Sequence, residues 1–365
     1  MKAFPTFEQL FATLPAVRSH APGRVNLMGD HTDYNGGFVL PAAIPQTTRV
    51  ELVPSTGKTV RVWSSACADS RPAEYDLGEE VRDGEWTDYV KGMTVVLSDH
   101  GLRSGFRARI VSDVPFGSGL SSSAALEIAV GRALRQVFGL RLTDVELAKA
   151  GRRAENEFVG APVGIMDQMA CSFATPAAPI FLDTRSLEFQ HVPLPAGAAL
   201  IVIDSGITHR HAGGEYAERR QECLEAARLA QVTELRDAGE EDLARASLPE
   251  PLARRARHVL TENRRVLETV GALRRGDLEK AGSLFTASHA SMRDDFEVSV
   301  PAVDALVRIL AAGRGVYGAR LTGGGFGGSV VALASADGAR AAADGVVREY
   351  GVQTGNRGAV VVPLR

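Results

Sequence analysis

The stretch from Phe106 to Gly139 constrains the fold more than any other part of the chain. It opens with "FRARIVSDV", where apolar and polar residues alternate as in a half-buried strand. It closes with a helical stripe of Leu126, Ala129, Val130, Ala133, Leu134, Val137 and Phe138, stopped by Gly139. Between them stands "PFGSGLSSSAA", Pro115 to Ala125. A strand that turns through glycine and serine into a helix places free backbone N–H groups at the positive end of the helix dipole, which favours an anion. Gly117 and Gly119 let the backbone approach a phosphate. The hydroxyls of Ser118, Ser121, Ser122 and Ser123 can donate to it or ligate Mg²⁺. A serine N-cap after a glycine turn accounts for the same residues without a ligand.

Two other nucleotide patterns fail on inspection. "GKT" at Gly57 to Thr59 resembles the end of a P-loop, but Leu52 stands where that motif needs glycine. "GGGFGG", Gly323 to Gly328, contains GxGxxG, yet "SVVALAS" follows it and reads as a strand, whereas the dinucleotide fingerprint opens a helix.

With 365 residues the chain exceeds the size at which a single core stops growing, so two domains are expected. "TTRVELVPSTGKTVRVWSS" alternates around "PSTGK" and reads as a hairpin. Thr6 with Gln9, and Thr143 with Glu146, have the spacing of capping boxes; the second opens a helix carrying Leu147, Ala150, Ala154 and Phe158. A second series starts near residue 180 with the strand "LIVIDSG". It continues through helices near 215–231 and 252–275, a helix opened by Pro301 and stopped by Gly313, and a closing strand–loop–strand–helix–strand. The reading is α+β, with domains at 1–180 and 181–365.

A net charge of −3 argues against a nucleic-acid footprint, and arginine clusters such as "RRAR", Arg254 to Arg257, read as solvated helix faces. Cys67, Cys171 and Cys223 are sparse, odd in number and without CxxC spacing, as for free thiols in a reducing compartment. No apolar run approaches a membrane span. A soluble, cytoplasmic protein is expected, with no nucleic-acid or membrane partner.

"APGRVNLMGDHTDYNGG", "VPFGSGLSSSAALEIA" and "LTGGGFGGSVVAL" resemble the three ordered motifs of the GHMP small-molecule kinases. The first of these, together with "WTDYVKG", "GIMDQ", "EYAERRQEC" and "SHASMRDDFEVS", is similar to the galactokinase branch. The resemblance implies a two-domain GHMP kinase fold: an N-terminal α+β domain with a ribosomal-S5-like core, a ferredoxin-like C-terminal domain and an active site in the cleft between them. It also implies ATP-dependent phosphorylation of α-D-galactose at its anomeric hydroxyl, with Mg²⁺ as cofactor and galactose and ATP as the small-molecule partners. A kinase for L-arabinose or N-acetylgalactosamine is the alternative, as is a non-catalytic sugar sensor. Sensors have a defective serine–alanine segment in the phosphate loop, whereas "GLSSSAA" is intact here.

The resemblance also assigns roles. Asp167 matches the catalytic base and Arg24 the arginine near the transferring phosphoryl; by local sequence alone, Asp167 reads equally as a helix N-cap and Arg24 as a salt-bridge arginine. Asp33 matches the ligand of the sugar's C3/C4 side, with Asp30 and His31 toward its other end and Gly164 and Tyr216 as further sugar contacts. Gly117, Ser118, Gly119, Leu120, Ser121, Ser122 and Ser123 match the phosphate loop, and Trp86 and Tyr89 could border the adenine. Glu155 and Ser123 match the Mg²⁺ ligands. Gly323, Gly324, Gly325, Gly327 and Gly328 would bring backbone close to the sugar or phosphates, or simply form a tight turn. His209 and His211 form an HxH pair without neighbouring carboxylates, a weak metal signal. One residue departs from the pattern. Relatives of this branch carry Glu where Asp30 stands, and the lost methylene withdraws the carboxylate by about 1.5 Å. That exceeds the tolerance of a direct hydrogen bond; a shifted backbone or a bridging water could restore the contact, and weak discrimination at C6 is expected where the carboxylate reaches the hydroxyl only through water or not at all.

Overall fold

The computed structural model describes residues 4–67, 71–208 and 212–363, the side chains of residues 212 and 213 excepted. In chain order the first strands are β1 (Val17–Asn26), β2 (Phe38–Val39), β3 (Pro41–Pro54), β4 (Thr59–Ser64), β5 (Ala73–Asp76) and β6 (Phe106–Ser112). They are followed by β7 (Ile180–Asp183), β8 (Phe189–His191), β9 (Ala198–Asp204), β10 (Val316–Thr322), β11 (Ser329–Ser335) and β12 (Ala359–Val362). Helices α1 (Phe7–Phe11), α2 (Thr87–Ser98), α3 (Ser122–Phe138), α4 (Asp144–Arg153) and α5 (Met166–Phe173) precede α6 (Ala212–Leu229), α7 (Glu240–Ala246), α8 (Leu252–Arg275), α9 (Leu278–Asp294), α10 (Pro301–Ala311) and α11 (Ala339–Thr354).

Two compact units emerge. The first holds residues Met1–Gly23, Gln46–Pro115 and Ser121–Phe173; the second holds Arg24–Pro45, Phe116–Leu120 and Ala174–Arg365. The seam read near residue 180 thus falls after Phe173, and two earlier segments, both carrying motif residues, group with the later part of the chain.

The first unit is built around a five-stranded sheet in the order β1-β3-β6-β4-β5. β6 pairs antiparallel with β3 and parallel with β4. The hairpin expected across "PSTGK" therefore does not form. Alternation identifies both strands, but β6 lies between them, and the turn residues bond to it instead: Ser55 N–H donates to the Gly105 carbonyl and Gly105 N–H to that of Gly57. Both capping boxes are present, at Thr6–Gln9 and Thr143–Glu146. α3 runs as its stripe indicates and ends at Gly139 in a left-handed cap. α4 departs from expectation after Arg153, where a π-helical turn over Ala154–Val159 replaces the regular helix.

In the second unit, β9 to β12 form a sheet in the order β10-β11-β9-β12, and every neighbouring pair is antiparallel. β9 leads through helices to β10, β10 turns into β11, and α11 connects β11 to β12, which is the ferredoxin-like β-α-β-β-α-β arrangement. α9 and α10 pack on β10, and α11 on β9. Ile201, Ile203, Leu306, Leu310, Leu321 and Val330 are among the buried residues of the resulting core. Inside α8, Arg255 corrects the reading of "RRAR" as a solvated face. It is 1% exposed and bonds Glu222, Glu297 and the Asp295 carbonyl, so that its charge is compensated from three sides.

Candidate active site

The loop between β6 and α3 turns through Gly117 and Gly119, at φ +70° and +73°. Ser121 precedes α3 in a left-handed conformation, φ 58° and ψ 47°, and its side chain makes no cap hydrogen bond. This rules out the plain serine N-cap. The Ser121 hydroxyl donates instead to Asp167 Oδ2 at 2.5 Å. Three successive carbonyls of the loop are tied down: Ser118 O accepts from the Ser329 hydroxyl at 2.8 Å, Gly119 O from Arg24 Nη1 at 2.5 Å, and Leu120 O from Arg24 N–H at 3.1 Å. Carbonyl oxygens repel an anion, so fixing them within the protein is what a phosphate loop requires. Arg24 is buried, which makes its guanidinium a fixed charge. The second glycine loop packs against this one. A Cβ on Gly323 would lie 2.9 Å from the Gly119 carbonyl oxygen, so only glycine permits the approach.

Asp167 is the second residue of α5, inside the helix and not at its cap, which removes the N-cap account. Beside it, the Gln168 amide donates to Glu127 Oε2 at 3.0 Å and to Glu155 Oε2 at 2.9 Å. Glu155 stands four residues past Gly151 and so continues the buried face of α4, at the start of the π-helical turn. Glu155 is therefore not an exposed helix carboxylate. Glu127, at 0% exposure on α3, is held well above the usual carboxylate range by burial and by the charge of Glu155. Burial and the same two acids push the Tyr89 phenol up. Trp86 is partly exposed just before α2, and Gly164 is buried ahead of α5.

The loop from Gly29 to Gly37 is braced at almost every residue. Gly29 N–H donates to Glu262 Oε1 at 3.0 Å, and the Phe38 N–H that closes the loop donates to Asn263 Oδ1 at 2.8 Å. Arg236 donates to the Gly36 carbonyl, and the Thr184 hydroxyl to those of Asp33 and Gly37. His31 has a left-handed backbone, φ +63°. Its Nδ1 meets the Tyr34 hydroxyl at 2.8 Å, and its ring packs on Tyr216 and Phe296. Burial, aided by neighbouring His258, pushes His31 down to about 3, so the ring is neutral. Asp33 is partly exposed and accepts from the Tyr34 N–H. Tyr216 also faces the second glycine loop, since a Cβ on Gly324 would sit 3.4 Å from its ring.

Asp30 is engaged within the protein. It is 1% exposed; Oδ2 accepts from Arg320 Nη2 and Oδ1 from the Gly323 N–H at 3.0 Å. Burial raises its proton affinity against the pull of Arg320. Glu262, which burial alone would also raise, is drawn down to about 2 by Arg265 and Arg320 and carries the charge.

The sequence-derived residues thus gather around two centres. Ser121, Asp167 and Glu155 lie in the first unit, with Gln168 bridging Glu155 and Glu127. Arg24, the loop from Gly117 to Leu120, the Asp30–Asp33 loop, Tyr216 and the second glycine loop lie in the second. Among those the sequence reading passed over are Glu127, His258, Glu262, Asn263 and Arg320. The signal available for two of them was the spacing of His258 and Glu262, four residues apart on one face of α8. His209 and His211 lie outside the described residues.

Residues 88–175 match the GHMP kinases N terminal domain, residues 269–353 the GHMP kinases C terminal domain, and residues 5–54 the galactokinase galactose-binding signature. A galactokinase of Chloroflexus aurantiacus is 44% identical over 97% of this chain and 93% of its own. One of Haemophilus influenzae is 43% identical over 91% and 88%. The structure of Lactococcus lactis galactokinase complexed with galactose superposes with a TM-score of 0.92 at 34% identity, covering 97% of this chain and 95% of that one. Methanococcus jannaschii mevalonate kinase, at 18% identity and a TM-score of 0.67 over 96% and 98%, shares the fold.

Proposed function

This chain belongs to the galactokinases of the GHMP kinase family, and from that premise we propose that it transfers the γ-phosphoryl group of ATP to the anomeric hydroxyl of α-D-galactose, yielding galactose 1-phosphate and ADP. The observation that carries this reading is the bond from Ser121 to Asp167. A carboxylate fixed to a residue of the phosphate loop is placed to act on the hydroxyl that attacks the phosphoryl group. Arg24, bonded to Gly119 and Leu120, addresses the two residues that precede Ser121 in that loop.

Phosphoryl transfer depends mostly on positioning and charge stabilisation. Asp167 takes or orients the proton of the anomeric hydroxyl, and Arg24 offsets charge developing on the transferring group. The backbone of Gly117 to Ser123 cradles the phosphates, with Trp86 and Tyr89 bordering the adenine. His31, Asp33, Gly164 and Tyr216 bind the sugar, and the loop from Gly323 to Gly328 supplies backbone contacts. Glu155 and Ser123 offer the hard oxygen ligands Mg²⁺ requires. Among the described residues, no cluster of three or more His, Cys, Asp or Glu could hold a metal ion. When bound, Mg²⁺ neutralises charge on the phosphate oxygens. None of the three cysteines forms a disulfide, which supports a cytoplasmic site of action.

The test is ADP release by the purified protein with ATP and Mg²⁺, measured without sugar and with galactose, L-arabinose or N-acetylgalactosamine. Galactose-dependent release, with phosphate on the anomeric carbon of the product, is expected. Release indifferent to sugar refutes the reading, as does galactose binding without turnover, which is the behaviour of a sensor.

A further inference from the structure

We propose that Arg320 and Glu262 are positioning residues that lock Asp30 into an internal strut, so that Asp30 joins the sugar-binding loop to the second glycine loop and does not itself touch the sugar. The inference rests on the reading, given above, that the loop from Gly29 to Gly37 binds the sugar.

Hydrogen-bond geometry makes the case. Both carboxylate oxygens of Asp30 have internal donors, and its carbonyl accepts from His258 Nε2 at 3.1 Å. The carbonyl can only accept, so His258 carries its proton on Nε2. Arg320 is fully buried, and its Nε and Nη1 have no hydrogen-bond partner. Its charge is answered by Asp30 and, at 3.7 Å, by Glu262. Turning Asp30 toward a neutral hydroxyl would strip a buried guanidinium of its main partner, the costly way to break a buried pair. Glu262 is itself committed, accepting from Gly29 N–H, the Ser288 hydroxyl and Arg265.

The strut has a purpose at the next residue. His31 holds a left-handed backbone that a side chain disfavours, and such a conformation persists only where the surroundings impose it. Here Asp30 is fixed on the N-terminal side at three points, and Asn35 Nδ2 grips the His31 carbonyl at 2.8 Å on the other. The result is a buried His31 ring held between the Tyr34 hydroxyl and the Gly324 backbone of the second glycine loop, so the strut and the histidine join the same two loops.

The experiment compares wild type, Asp30→Asn, Arg320→Lys, Arg320→Met and the Asp30→Asn/Arg320→Met double variant on galactose and 6-deoxygalactose, with KM for ATP measured alongside. A strut predicts that KM for both sugars rises by about tenfold or more in each single variant, that KM for ATP stays put, and that the galactose to 6-deoxygalactose preference holds within about twofold. The double variant should be no worse than the poorer single one, because the two residues act as one pair. A preference that collapses in Asp30→Asn while Arg320→Lys remains like wild type overturns the proposal, since Asp30 would then meet the sugar directly. Should Arg320→Met fail to fold, the preference in Asp30→Asn decides the matter alone. No galactose-dependent turnover in the wild type would overturn the functional reading instead, a failure distinct from either.

Discussion

Replacing Asp167 by Asn isolates the charge of the proposed base from its structural bond. Asp167 accepts a hydrogen bond from Ser121, at 2.5 Å, from within the first turn of α5. An Asn side chain keeps an oxygen that accepts the same hydroxyl, so the loss at this bond is its charge-assisted part, about 1 kcal/mol. For a protein of this size that lowers Tm by only a few degrees, on the order of 2 °C per kcal/mol. The chemical loss is larger, because an amide cannot take up the proton of the attacking hydroxyl. We expect about 2–5 kcal/mol of lost transition-state stabilisation, a fall in kcat of roughly 30- to 5,000-fold. Ser121 supplies an internal control. Ser121→Ala removes the hydroxyl but keeps the left-handed strain, whereas Ser121→Gly removes both, so the Gly variant should be the more stable by about 1 kcal/mol. Both should lose activity to a similar degree, because both release Asp167 from its tether. A coupled ADP assay and a melting curve on all four proteins suffice. A near-normal kcat for Asp167→Asn together with a sharp loss of Tm would refute the argument, leaving Asp167 as a structural acceptor.

Glu155→Gln should raise the Mg²⁺ concentration needed for half-maximal activity, since a hard cation prefers a charged oxygen; an unchanged midpoint leaves Glu155 with a structural role beside Gln168. Glu127 has a raised proton affinity in the folded state, so the wild type loses stability as pH rises above the carboxyl's ordinary value of 4.5. Glu127→Gln should be the more stable protein at pH 8, with its advantage shrinking toward pH 5; denaturant titrations giving a constant difference would contradict this. His31 and His258, lowered by burial to about 3 and about 4, stay neutral when folded but protonate when unfolded as pH falls below 6.5. Each should therefore cost about 2 kcal/mol of stability between pH 7 and pH 5, and His258→Gln should reduce that pH dependence by its share.

Local features were legible wherever local physics decides them. Both capping boxes, the glycine stop of α3 and Pro301 at the start of α10 formed as their spacing indicated. Pairing partners were not legible. β3 and β4 each alternate correctly, but alternation says which face of a strand is buried and nothing about which strand lies alongside, and β6 came between them. The π-helical turn after α4 was invisible for a similar reason: periodicity assumes regular helix, and one wider turn moves every later side chain. Glu127 lies outside the apolar stripe of α3, and nothing local marks it as buried. Its burial depends on Gln168 and Glu155, which arrive from elsewhere in the chain.

The loop from Gly29 to Gly37 raises the same difficulty in its sharpest form. Its residue types announce a polar site, but which of them face a ligand is settled by partners far along the chain. Shortening Glu to Asp suggests, on the motif alone, a carboxylate that falls short of its target. The folded chain offers a different use for that length. Arg320, on β10, and the Gly323 N–H, just past its end, lie within direct reach of an Asp at position 30. His258, Glu262 and Asn263 brace the adjoining backbone from α8. Once those five contacts form, the carboxylate is neither short of a partner nor available to another. Restoring the extra methylene in Asp30→Glu would therefore push against the fully buried Arg320, and overpacking of that kind typically costs about 1–3 kcal/mol. That variant should lose stability without gaining preference for the C6 hydroxyl. A sharper preference for galactose in Asp30→Glu, with Tm unchanged, would show that the motif, and not the distant arginine, decides what residue 30 touches.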